Sequence, residues 1–102
     1  MNDTKFTSFK KFYPYYLSEH KLRINKILHM IGSLTSLILM VSILYIEKYK
    51  YIPLSIVFGY SCAWIGHFIF EKNKPATFKY PIYSFIGDWV MLKDILTRKI
   101  KL

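Results

Sequence analysis

The sequence predicts an all-α membrane protein: a membrane helical hairpin of two transmembrane helices, flanked by amphipathic interfacial helices and packed as a small helical bundle. Three observations carry that reading. Lys, Arg, Asp and Glu are absent from residues 27–46 and again from 52–70. At about 1.5 Å per residue each run spans roughly 30 Å, the thickness of a bilayer's hydrocarbon core. The 102-residue chain is 53% hydrophobic and 19% aromatic, too apolar for disorder and too small to hide two such helices inside a soluble globule. Residues 1–102 are therefore expected to form a single membrane domain.

The elements come in order along the chain. Residues 4–20 carry Phe6, Phe9, Phe12, Tyr13, Tyr16 and Leu17 at spacings of three and four, with Lys5, Lys10 and Lys11 largely off that stripe. This predicts an amphipathic helix, kinked or restarted at Pro14. Tyr13, Tyr15 and Tyr16 suit an interface, where a ring is buried and its hydroxyl stays wet. The first transmembrane helix is expected over 24–46. It comes after a charged, aromatic segment and no small-x-small cleavage pattern succeeds it, so it does not read as a cleavable signal peptide. A polar turn at 47–51 leads to the second transmembrane helix over 52–71, with Pro53 in its first turn. After a connection punctuated by Pro75 and Pro81, residues 82–97 predict an amphipathic or re-entrant helix. Its apolar stripe is Ile82, Phe85, Ile86, Trp89, Leu92 and Leu96, and Asp88, Lys93 and Asp94 fall between.

Charge sets the topology. Residues 1–26 hold six Lys/Arg, the turn holds two and residues 72–102 hold seven. The positive-inside rule puts both termini in the cytoplasm. The membrane is the cytoplasmic one in a bacterium and the endoplasmic reticulum in a eukaryote. The net charge of +9 then belongs beside a lipid bilayer and its anionic head groups, with no nucleic acid partner.

The chemistry-bearing residues are the three histidines. In an antiparallel hairpin, His29 near the start of the first span and His67 near the end of the second lie at one depth, roughly 5–8 Å inside the cytoplasmic edge. His20 lies just before the first span on the same side. Nine residues on one continuous helix would put His20 and His29 on opposite faces, so they converge only if the helix breaks near 21–23. Asn25 and His29 are i and i+4, as are His67 and Glu71. An imidazole ligand usually has an acceptor on its other ring nitrogen, a part that Glu71 or Asp88 could play. Glu19 is also nearby. Interhelical hydrogen bonding is the plainer use of a membrane histidine, but intramembrane ionisable groups are functional candidates by default. Imidazoles without thiolate suit Fe(II) or Zn(II), and composition does not choose between them. The lone Cys62 excludes an internal disulfide. No nucleophile elbow, phosphate loop or dinucleotide fingerprint is present.

Four stretches carry a family resemblance: Phe12-Tyr13-Pro14-Tyr15-Tyr16-Leu17-Ser18-Glu19-His20, Asn25-Lys26-Ile27-Leu28-His29-Met30-Ile31-Gly32, Trp64-Ile65-Gly66-His67 through Glu71-Lys72-Asn73-Lys74-Pro75-Ala76-Thr77-Phe78, and Tyr80 to Asp88. Over about residues 9–96 the chain resembles the membrane family that includes the yeast 2-hydroxy fatty acid dioxygenase of phytosphingosine breakdown. It departs at Leu22-Arg23, where many relatives have Asn-Pro, and at Lys74, where many have Arg. The resemblance implies an Fe(II)-dependent dioxygenase of fatty acid α-oxidation, taking a 2-hydroxy fatty acid and O₂ to CO₂ and an acid one carbon shorter. It implies that His20, His29 and His67 hold the iron, with Asp88 a fourth ligand or a supporting partner. Glu19, Asn25, Glu71 and Asn73 are then expected to support the ligands. Lys26, Lys72, Lys74 or Lys79 would pair with the substrate carboxylate. A second copy of so short a chain could close the substrate cavity as a homo-oligomer. The rival readings are a non-catalytic membrane scaffold, and a zinc-dependent lipid hydrolase with Glu71 or Glu19 as base.

Overall fold

The computed structural model describes residues 6–102; the expected helix over 4–20 therefore begins, with Lys5, outside the described residues. Four helices succeed one another: α1 (Phe9–Ser18), α2 (Arg23–Tyr45), α3 (Ile52–Trp64), which continues into a π-helical segment (Ile65–Glu71), and α4 (Pro81–Leu96). Single 3₁₀ turns at Tyr49–Tyr51 and Ala76–Phe78 complete an all-helical bundle, with no strand among the described residues.

α2 and α3 form the hairpin. The stretches Arg23–Tyr45 and Tyr49–Glu71 are each long and apolar enough to cross a membrane, and only 17% of each is buried within the chain. A core helix of a soluble protein would be mostly covered. Here Ile38, Val41, Leu54, Val57 and Ile69 all point outward. The two helices approach closely through small residues: a Cβ on Gly32 would lie 2.9 Å from Cys62 Cβ, and Gly59 faces Ser36. Ser36 Oγ donates to the Ser55 carbonyl at 2.8 Å across this seam.

α1 begins at Ser8, whose Oγ accepts the Lys11 N–H at 3.3 Å. Pro14 neither ends nor restarts it. The bond that Pro14 cannot make leaves only the carbonyl of exposed Lys10 unpaired, and the buried rings of Phe12 and Tyr16 hold the helix on α4. Together with Ala76, Met91 and Ile95 they form the core, which lies at the histidine end of the hairpin. Two tyrosine hydroxyls expected in water are instead taken by carboxylates of α4: Tyr13 donates to Asp94 Oδ2 at 2.7 Å and Tyr16 donates to Asp88 Oδ1.

α4 turns part of its apolar stripe outward. Ile82, Phe85, Ile86 and Leu96 are exposed and Trp89 is half-buried, while Leu92 is buried with Ser84, Gly87, Met91 and Ile95. Gly87 is where the Tyr16 ring crosses: a Cβ there would stand 3.0 Å from two of its carbons. The buried face of α4 is apolar at Met91, Leu92 and Ile95 and small or polar at Ser84 and Gly87, beside the site.

Candidate metal centre

Two local distortions bring the histidines together. The first is the gap between α1 and α2, which turns the chain at residues 19–22 so that His20 folds back toward His29. Glu71 secures this gap, its Oε1 accepting the Leu22 N–H at 2.5 Å at the unsatisfied start of α2. Asn25 Nδ2 reaches both the Glu19 carbonyl and Glu71 Oε1 at 3.5 Å. The second distortion is the π-helical segment 65–71, a wider winding that is rare and recurs at functional sites. Gly66 permits it, because a side chain there would overlap the Asn25 amide. The segment ends at Lys72 in the left-handed region (φ 59°, ψ 42°), after which the Asn73 N–H bonds the His67 carbonyl at 3.0 Å.

His20, His29 and His67 are 1%, 5% and 2% exposed, and one ring nitrogen from each lies within 4.8 Å of the other two. Each ring also has a dedicated acceptor at Nδ1: the Tyr16 carbonyl at 2.6 Å for His20, the Asn25 carbonyl at 3.0 Å for His29, and Asn73 Oδ1 at 2.7 Å for His67. Asn73 is oriented by its other end, where Nδ2 donates to the Glu19 carbonyl at 3.1 Å. All three acceptors can only accept, so each Nδ1 carries the hydrogen and each neutral ring turns an Nε2 lone pair inward. His20 is neutral at physiological pH, since burial, reinforced by the neighbouring His29 and His67, pulls it down to about 2.

That arrangement is unfavourable without a cation. His20 Nε2 and His29 Nε2 are 3.1 Å apart with no hydrogen left to share. Metal–imidazole bonds of about 2.0–2.1 Å at 90–109° put adjacent ligand nitrogens roughly 2.9–3.4 Å apart. The His20–His29 spacing matches two ligands of one ion, and with a His67 nitrogen within 4.8 Å the three buried imidazoles, their tautomers fixed from behind, could hold a metal ion. Three nitrogens suit zinc and iron alike.

The carboxylates occupy other posts. Asp88 is outside the group of three; it lines the adjoining cavity and accepts the Tyr16 hydroxyl. Burial raises its carboxyl to about 7 against the opposing pull of that hydrogen bond. Glu71 serves Leu22 and Asn25, and Glu19 contributes its backbone carbonyl. Of the four candidate lysines, Lys72, Lys74 and Lys79 are exposed and Lys26 is half-buried, and none lines the cavity.

The cavity has two lobes that share His29, Tyr60, Ala63 and Asp88. The inner lobe touches His67, Tyr16 and Ser84. The outer lobe, a half-open groove, runs along the hairpin past Ser33 and Ser36 on α2 and Ile56 and Gly59 on α3, with Phe85 and Trp89 as its α4 wall. Tyr16, Ser84 and Gly66 are the site residues that sequence reasoning missed. Tyr16 packs against His20 at 4.2 Å between ring centres, the planes tilted by 31°, while its carbonyl and hydroxyl hold His20 and Asp88. The spacing i, i+4 that joins Asn25 to His29 also joins Tyr16 to His20 and Ser84 to Asp88, and that is the signal by which they could have been found.

No curated protein and no solved structure matches the chain. A family profile does, over residues 6–100, and all three converging histidines fall inside the match. The chain belongs to this family, described as Mpo1-like, 2-hydroxy-palmitic acid dioxygenase Mpo1-like.

Proposed function

We propose that the protein is an integral membrane Fe(II)-dependent dioxygenase that converts a 2-hydroxy fatty acid and O₂ into the fatty acid one carbon shorter, CO₂ and water. The reaction balances without an outside reductant, because the four electrons lost by the 2-hydroxy acid are the four that reduce O₂. The observation that carries the reading is the buried convergence of His20, His29 and His67, one ring nitrogen of each within 4.8 Å of the other two, in a chain of this family.

Each part of the site has a task on this reading. His20, His29 and His67 hold the ion through Nε2, while Tyr16, Asn25 and Asn73 keep the rings from rotating or changing tautomer. Bound Fe(II) supplies the redox chemistry that lets O₂ react with a 2-hydroxy acid. Asp88, held by Tyr16, is a supporting partner that can take the proton of the substrate's 2-hydroxyl. The hairpin spans the bilayer as one membrane domain with both termini in the cytoplasm, which puts the site at the depth of a lipid's polar end. Lys26, Lys72, Lys74 and Lys79 attract an anionic head group to that surface.

The test uses detergent-purified protein loaded anaerobically with Fe(II) and given 2-hydroxyhexadecanoic acid. Mass spectrometry is expected to show the fifteen-carbon acid only when O₂ is admitted, and not with His67→Ala. Zinc-supported, O₂-independent lipid hydrolysis would replace the proposal with a hydrolase. Absence of both product and stoichiometric metal would leave a membrane scaffold.

A further inference from the structure

Among the described residues Ser55 and Ser84 are the buried serines, and they differ. Ser55 Oγ donates to the Ile52 carbonyl at 2.8 Å. Such back-bonding to the preceding turn is the usual recourse of a hydroxyl on a helix. Ser84 is 4% exposed on α4, yet its Oγ has no hydrogen-bond partner. A buried unpaired hydroxyl is destabilising, so its retention asks for a reason.

Its place supplies one. Ser84 lines the inner lobe with His29 and His67, one helical turn from Asp88. The imidazoles of His29 and His67 thus share the inner lobe with Ser84 and Asp88, and the space continues into the outer lobe, where Ile56, Phe85 and Trp89 stand beside Ser33 and Ser36. That arrangement suits a single-chain lipid with its acid group at the imidazoles and its tail along Ile56, Phe85 and Trp89. From His29 to Ser36 the outer lobe runs along α2 for about 10 Å, roughly half of an extended sixteen-carbon chain, so the tail's far end lies in lipid. A carboxylate entering here meets no lysine, because none lines either lobe.

We propose that Ser84 Oγ–H donates to the substrate's carboxylate and thereby sets its position beside the histidine cluster. This rests on the 2-hydroxy acid reading of the substrate. It makes α4 the specificity element and assigns the head-group contact to a neutral donor inside the cavity.

The experiment measures anaerobic binding of 2-hydroxyhexadecanoic acid to the metal-loaded protein by tryptophan fluorescence, with Trp89 in the cavity wall as reporter. Ser84→Ala is expected to weaken binding about tenfold or more, the usual worth of a hydrogen bond to a charged group. Metal content should be unchanged, and Tm should not fall, because the deleted hydroxyl bonds nothing in the free protein. For 1,2-hexadecanediol, which lacks the carboxylate, the same substitution should cost less than threefold. Equal weakening for both ligands, no weakening for the acid, or loss of metal would overturn the proposal. Ser84-dependent binding without O₂-dependent product would support it while removing the dioxygenase reading. Normal turnover with Ser84→Ala binding the acid like wild type would remove this proposal alone. Failure of wild type to bind the acid would remove both.

Discussion

His67 donates its Nδ1–H to Asn73 Oδ1 at 2.7 Å and is the one imidazole of the three whose acceptor is a side chain. His20 and His29 lean on backbone carbonyls that no substitution can delete. Asn73 is therefore the point at which the support of the centre is open to mutation. Asn73→Ala is expected to weaken metal affinity about 10- to 100-fold, as loss of such partners generally does. Competition with a metallochromic chelator would measure it, and affinity within twofold of wild type would remove Asn73 from the centre.

Replacing any one histidine should do more. With two nitrogens left, His20→Ala, His29→Ala and His67→Ala are each expected to fall from about one metal per chain to below roughly a tenth, read by elemental analysis after gel filtration. A scaffold using its histidines as hydrogen bonders predicts no stoichiometric metal in wild type and tolerance of single His→Gln changes.

Gly66 tests the π-helical turn. Its hydrogen points at the Asn25 amide, where a methyl cannot fit, and Asn25 is fully buried. Gly66→Ala is expected to destabilise the fold by about 1–3 kcal/mol. It should also lower metal affinity, since His67 is the next residue. A thermal melt unchanged within a degree would show that the turn gives way at no cost.

Asp88 gives stability a pH dependence of known sign. Its carboxyl titrates at about 7 in the folded chain against an ordinary 3.8. The folded state therefore holds the extra proton between those values. Its contribution is complete below pH 3.8 and is lost as pH rises through 7. His20, held down at about 2, acts with opposite sign: its contribution is present above pH 6.5 and lost as pH falls. Comparison with Asp88→Asn isolates the first effect. In metal-free protein, the Tm advantage of Asp88→Asn over wild type should grow from about pH 4 to pH 7 and then level off. Its full extent is on the order of a few kcal/mol. A difference independent of pH would mean that Asp88 is ionised throughout.

Much of this was legible in the sequence, and the remainder was hidden for identifiable causes. Charge-free runs marked the two long apolar helices, because hydrocarbon tolerates no unpaired charge. The convergence of His20 with His29 required a break near residues 21–23, and the gap between α1 and α2 lies at 19–22. The orientation of α4 was harder to read. Ile82, Phe85, Ile86 and Leu96 of its apolar stripe point outward while Leu92 is buried, and periodicity reports a stripe without saying what lies against it. The acceptors behind two imidazoles are main-chain carbonyls, which every residue has and no motif can reveal. Glu71 and Asp88 drew attention as carboxylates, but they serve Leu22 and Tyr16.

The π-helical winding at 65–71 also makes the chain unusually sensitive to its own length. Removing one residue between Tyr60 and Gly66, with the winding held by Gly66 against Asn25, would rotate the downstream chain by about 100°. His67 would swing out of the cluster although every ligand remained in the gene. An in-frame codon deletion there would act as a null allele. The hairpin tip at Glu47–Lys50, remote from all three imidazoles, should accept a short insertion or an epitope tag.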